Sequence, residues 1–143
     1  MKLITSEWIA KAEGDFATAE RELSATDHPN YDAVCFHAQQ CAEKYLKAFL
    51  QEANIAFPKT HDLADLLASA LSIEPTWTSM TADLNALSAF AVEYRYPGES
   101  ADIDEGREAF SKCERSRGHP SGIAFVKSCS FLAVSEWSNV YKN

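Results

Sequence analysis

The sequence is short of several things, and each shortage excludes a class of chemistry. Glycine and proline number five each. The glycines are scattered, with no GxxxxGK[ST] and no GxGxxG run to cradle a phosphate. The four cysteines, Cys35, Cys41, Cys113 and Cys129, form no CxxC pair. Cys35 and Cys41 fall within an apolar helical pattern, which predicts structural thiols in a reducing compartment. Positive charge is scarce: 13 Lys+Arg against 21 Asp+Glu leave a net charge of −8. That excludes a surface wholly given to gripping nucleic acid, which a positive field leads, but leaves room for a local basic pocket. No stretch approaches the ~18 uninterrupted apolar residues of a membrane-spanning helix. The opening MKLITSEWIAKAEGDF holds no apolar core followed by a cleavage site. A cytoplasmic protein with no membrane partner is expected.

What is present is one domain's worth of chain: 143 residues, 46% hydrophobic and 24% charged, enough for a core without staples. No segment alternates with period two beside a turn signal, so no sheet is predicted. Helical stripes recur instead. Trp8, Ala12, Phe16, Ala19 and Leu23 draw the first, with Ser6 as N-cap, and Asp27-His28-Pro29-Asn30 stops it. A second helix runs from about Tyr31 to Ala53. Its two adjacent stripes, Val34-Ala38-Cys41-Tyr45-Ala48 and Cys35-Ala42-Leu46-Phe49, suit a central helix touched from two sides. A third, shorter helix follows Pro58, capped by Thr60 or Asp62, with Leu63, Leu66, Leu67, Ala70 and Leu71 inward. Trp77, Met80, Leu84, Leu87, Ala91 and Tyr94 place a fourth after Pro75, ended by Pro97-Gly98. Asp102 and Glu105 form a capping box for a fifth containing Ile103, Phe110 and Cys113. The expected class is all-α, an antiparallel up-and-down bundle of four to five helices over residues 1–115. Residues 116–143 lose the helical period and are rich in serine. They read equally as an out-of-frame continuation or as an irregular extension in which Ile123 to Val134 packs across the bundle.

Metal chemistry finds no support. No Glu-x-x-His occurs, and Cys35 and His37, two positions apart, project about 200° apart on a helix. No metal and no resident cofactor are expected, a nucleotide ligand aside. There is also no Gly-x-Ser-x-Gly, so no catalytic residue is assigned.

Three polar groups carry the functional reading. His37, Gln40 and Lys44 lie on one ridge of the second helix, offering imidazole, amide and ammonium donors to a phosphate or a base edge; the plainer reading is a solvated face. Lys59-Thr60-His61-Asp62-Leu63 stands at a helix N-terminus, where backbone N–H groups attract anions and His61 adds a group that titrates near neutrality; the alternative is a cap beside a surface histidine. Tyr94-Arg95-Tyr96-Pro97-Gly98 ends the fourth helix. Arg95 there either satisfies the last carbonyls or forms an arginine fork for phosphate, with Tyr94 or Tyr96 stacking on a base.

These segments carry a resemblance. Phe36-His37-Ala38-Gln39-Gln40-Cys41-Ala42-Glu43-Lys44-Tyr45-Leu46-Lys47-Ala48-Phe49-Leu50, the Lys59–Leu63 and Tyr94–Gly98 segments, and the opening Trp8–Asp15 resemble the HEPN domain, the higher eukaryotes and prokaryotes nucleotide-binding family. The likeness spans about residues 6–115. It implies an up-and-down helical bundle, usually a homodimer, often encoded beside a minimal nucleotidyltransferase in a toxin–antitoxin-like pair. Other members of the family are metal-independent ribonucleases. They carry Arg, a polar residue, three to five further residues and then His. Here Arg95 is followed by Tyr96, with no His at that distance, and Arg115-x-x-x-His119 is one residue short.

The reading is therefore a non-catalytic, homodimeric binding module for nucleotide or RNA, or one that docks a nucleotidyltransferase. His37, Gln40, Lys44, His61, Arg95, Tyr94 and Tyr96 are its candidate site, with Lys44 and Arg95 pairing phosphate. Phe57, Phe90 and Val92 are candidates for the dimer face. The rival is a metal-independent endoribonuclease toxin using Arg95 with His37 or His61; a third possibility is a purely structural partner.

Overall fold

Small residues decide how the two longest helices meet. In a computed structural model, whose described residues are 1–118, helix α1 spans Leu3–Leu23 and α2 spans Tyr31–Glu52. Ala12 and Ala19 of α1, with Ala38, Cys41 and Ala42 of α2, are buried, and side chains this small let the two backbones lie close along their length. Helices α3 (Leu63–Ala70), α4 (Thr81–Glu93) and α5 (Ile103–Arg117) complete the set. The four long helices alternate in direction: Thr5 near the start of α1 meets Glu52 at the end of α2, Phe36 near the start of α2 lines a cavity with Tyr94 at the end of α4, and Asp83 near the start of α4 pairs with Arg115 near the end of α5. The architecture is an all-α up-and-down bundle of five helices, with no strand among the described residues.

Helix α2 is the hub. It packs against α1, α3, α4 and α5, as its two adjacent apolar stripes require. The core gathers Tyr45, Leu46 and Leu50 of α2 with Leu63, Leu66, Trp77, Leu84 and Leu87, each large side chain contributing roughly 1.5–3 kcal/mol on burial. No helix among the described residues is long and apolar enough to cross a membrane.

The cap at Asp62 and the box at Asp102–Glu105 form as the sequence indicates. Asp62 accepts from the Ala64 N–H at 2.9 Å, Asp102 from the Glu105 N–H at 2.8 Å, and the Glu105 carboxylate from the Asp102 N–H at 2.6 Å. Two expectations are corrected. Ser6 is not an N-cap: α1 begins at Leu3, and Ser6 lies inside it with its N–H on the Lys2 carbonyl. The first turn is held from across the bundle, because Glu52 accepts from the Lys2 N–H at 3.1 Å and from Thr5 Oγ1 at 2.7 Å. Partial burial pushes the Glu52 carboxyl up, but the bonds from Thr5 and Lys2 outweigh it and hold the group below its usual range. The second correction concerns the fourth helix, whose stripe begins in a separate 3-10 segment, Pro75–Met80, before α4. There the Thr78 and Ser79 hydroxyls donate to the carbonyls three residues back, at 2.8 and 3.1 Å, and Thr81 does the same at 2.8 Å. Such local bonds favour the tighter turn.

Cys35, Cys41 and Cys113 are buried free thiols. Cys129 and the segment Ile123–Val134 lie outside the described residues. Helix α5 continues two residues past the expected boundary, to Arg117.

Candidate functional site

Two buried carboxylates organise the polar side of the bundle. The first is Asp15, which takes an apolar position in α1 between Ala12 and Ala19. His37 Nδ1 lies 2.8 Å from Asp15 Oδ1, and the Lys44 ammonium pairs with Oδ2. The second is Glu43, only 2% exposed. It pairs with Lys47 at 3.2 Å and with His61 Nδ1 at 2.7 Å. Gln39, one turn earlier on the same face, donates from Nε2 to the His61 carbonyl at 3.0 Å and accepts from Gln40 Nε2 at 2.8 Å. The polar side of α2 thus divides: His37 and Lys44 turn to α1, while Gln39 and Glu43 pin the segment before α3.

That pinning fixes His61 on a cavity of about 580 Å3, lined among others by Gln39, Asp62, Ser88, Val92, Glu93 and Arg95. A second cavity, of about 240 Å3, is lined by Asn30, Asp32, Ala33, Phe36, Ala91, Tyr94 and Arg95. Arg95 lines both. Its position follows from the end of α4: Tyr94 is the C-cap, its N–H on the Phe90 carbonyl at 3.2 Å, and the Arg95 N–H reaches Val92 O at 3.4 Å. Gly98, at φ +113°, then turns the chain away. Only glycine adopts that dihedral without strain.

Tyr94 is the anchor here. It is buried, its ring stacks on Phe90 at 6.2 Å, and burial followed by a hydrogen bond to Glu105 raises its phenol well above the ordinary value. Tyr96, next along, is 66% exposed. The Arg95 guanidinium lies over the Phe36 ring, 5.9 Å from its centroid, in cation–π range. Among the described residues it forms no ion pair. The Phe36 ring in turn meets the His37 ring edge-on at 5.1 Å.

Of the seven sequence-predicted residues, His61 and Arg95 therefore share one cavity, and Tyr94 joins Arg95 in the second. Gln40 supports Gln39 from behind, Tyr96 stands free in solvent, and His37 and Lys44 are joined through Asp15. The first donors of α3 are engaged internally: the Leu63 N–H reaches Ser88 Oγ at 3.2 Å, and the Ala64 N–H goes to Asp62. Of the residues named for a dimer face, Phe57 packs edge-on to Trp8, Phe90 on Tyr94, and Val92 alone is widely exposed, at 65%. Sequence reasoning missed Asp15, Gln39, Glu43, Ser88 and Phe36. The signal for Asp15 was its place within a stripe of alanines; for Gln39, Glu43 and Lys47 it was their common spacing of four. No three His, Cys, Asp or Glu side chains among the described residues are grouped to hold a metal ion.

The HEPN domain family model matches residues 5–117. The chain belongs to the HEPN family. Its fold is also similar to the crystal structure of an archaeal HEPN homologue, with a TM-score of 0.65 and 25% sequence identity over 90% of this chain and 98% of that one. No match is found among curated proteins. Within this HEPN bundle, the two cavities flanking Arg95 and the two buried carboxylates are the features that concentrate polar chemistry.

Proposed function

We propose that this HEPN protein is a non-catalytic, homodimeric binding module for a phosphate-bearing nucleotide or RNA, working with a minimal nucleotidyltransferase in a toxin–antitoxin-like pair. The observation that carries the binding role is Arg95. Its guanidinium lines both cavities without a carboxylate partner among the described residues, beside His61 and the Gln39 amide. A planar cation with free donors suits a phosphate, and the exposed Tyr96 ring next to it suits a base.

The share given to Lys44 shrinks, because its charge is already matched by Asp15; His37 and Lys44 support the ridge, and His61 and Arg95 meet the ligand. The nucleotidyltransferase comes from the family resemblance. The ribonuclease reading lacks a histidine five to seven residues past Arg95, so it is the weaker of the two.

Affinity purification of tagged protein from its native cell, with wild type and Arg95→Ala in parallel, tests this. Co-recovery of a small nucleotidyltransferase or of RNA with wild type is expected, with the nucleic acid reduced in Arg95→Ala. Recovery of neither would overturn the reading. Chelator-resistant RNA cleavage that disappears in Arg95→Ala would move it to the ribonuclease.

A further inference from the structure

Helix α5 ends before the bundle does. Its last turn is held on both sides: Arg115 pairs with Asp83 near the start of α4 at 2.9 Å, and Arg117 pairs with Glu13 of α1 at 3.0 Å. The Tyr45 hydroxyl of α2 donates to the same Glu13. Past that level α2 still runs from Tyr45 to Glu52, about 10 Å of helix. Helix α1 extends back along it to Leu3, and the Pro75–Met80 segment stands on the other side, ahead of Asp83. A channel is left between them, in line with α5 and over the last turns of α2.

Two aromatic side chains mark its floor. Phe49 follows Tyr45 by one turn on the same face of α2 and is only partly buried. Its ring packs on Trp77, with centroids 4.4 Å apart. Trp77 is fully buried, yet its indole N–H has no hydrogen-bond acceptor among the described residues. A buried tryptophan N–H ordinarily has one. The channel therefore combines apolar surface with an unmet donor, and what covers it must bring both apolar side chains and an oxygen.

The chain's own continuation has that chemistry. Beyond Gly118, which stands at the mouth of the channel, comes Ile123-Ala124-Phe125-Val126-Lys127-Ser128-Cys129-Ser130-Phe131-Leu132-Ala133-Val134, with Lys127 its one charge. The stretch from Gly118 to Ile123 reaches up to roughly 17 Å when extended, more than the length of the channel. A segment tethered so closely acts at an effective concentration in about the millimolar range, which favours it over a second copy of the chain or a free partner. We propose that residues 123–134 cover the channel, their apolar side chains against Phe49 and an oxygen of the segment accepting the Trp77 N–H. This holds whether or not Arg95 takes a phosphate.

NMR of the isotopically labelled full chain tests it. Nuclear Overhauser contacts are expected between the Trp77 indole proton and protons of residues 123–134 of the same molecule. In the full chain carrying Phe125→Ser and Phe131→Ser, exchange of that indole proton into D2O is expected to quicken on the order of tenfold, while backbone amides in the middle of α2 stay protected. Absence of the contacts in wild type would overturn the proposal, and that reading needs no variant to fold. Unchanged indole exchange in the folded double variant would overturn it as well. Contacts found instead between chains, in a mixture of labelled and unlabelled protein, would contradict it and assign the channel to a second copy.

Discussion

Glu43 Oε1 lies 2.7 Å from His61 Nδ1 and 3.2 Å from Lys47 Nζ, so one buried carboxylate ties α2 to the segment before α3. The carboxylate only accepts, which assigns the Nδ1 proton to His61. Replacing Glu43 with Ala leaves the Lys47 ammonium unpaired at 11% side-chain exposure. A loss of about 2 kcal/mol is expected, below the ~3–5 kcal/mol of a fully enclosed pair. Urea unfolding checks it. Glu43→Gln, which keeps an acceptor for His61, is expected to lose less.

Acid should unfold the bundle partly through Asp83 and Glu52. The Arg115 guanidinium, bonded to Asp83 at 2.9 and 3.0 Å, holds that carboxyl below its ordinary value of 3.8. Glu52 is held below 4.5 by Thr5 and Lys2. A folded-state pKa depressed in this way gives stability that is present above the unfolded value and lost as pH falls through the folded one. The urea midpoint is therefore expected to drop as pH falls from about 5 toward 2. In Asp83→Asn and Glu52→Gln the midpoint should start lower at neutral pH and fall less steeply. Equal slopes in wild type and variants would contradict the assignment.

Gly98 turns the chain just past Arg95 at φ +113°. Among the described residues nothing lies within 4 Å of a Cβ at this position, so the penalty of Gly98→Ala is backbone strain. A destabilisation of about 1 kcal/mol or somewhat more is expected, read as a lower melting temperature. Ligand affinity should fall with it as the Arg95 turn shifts.

The Cys35 thiol is pushed up to about 12 by burial and, after that, by Asp32, Glu105 and Asp102. Cys41 is raised by its bond to Cys113 and by burial. Thiolate is the reactive form. Iodoacetamide at pH 8 is therefore expected to leave Cys35 and Cys41 unlabelled in native protein and to label both in urea, as read by peptide mass spectrometry.

Much of the bundle was legible because burial imposes a period. Val34, Ala38, Cys41 and Tyr45 lie on the buried side of α2 as their spacing requires, and Asp62 and Asp102 announce their caps by residue type. The boundary at Pro75–Met80 was not legible, since Trp77 and Met80, three apart, fit a 3-10 turn and an α-helix equally well. The site was legible by halves. Arg95 and His61 stand out as polar side chains at helix ends, and they do share a cavity. Lys44 reads as a free cation until Asp15, 29 residues earlier, is brought against it. Glu43 and Gln39 are polar residues between the apolar stripes of the second helix. Their spacing of four, shared with Lys47, puts them on one face, but only the packing of the His61 segment over α2 buries that face.

The central claim is that Arg95 binds a phosphate rather than holding the fold. Titration of wild type and Arg95→Ala with a short single-stranded RNA, beside a thermal melt of each, tests it most directly. The account predicts at least tenfold weaker binding at nearly unchanged melting temperature, since loss of one charge-assisted contact is worth about 1.5–3 kcal/mol. Unchanged RNA affinity, or a melting temperature that collapses in Arg95→Ala, would contradict it.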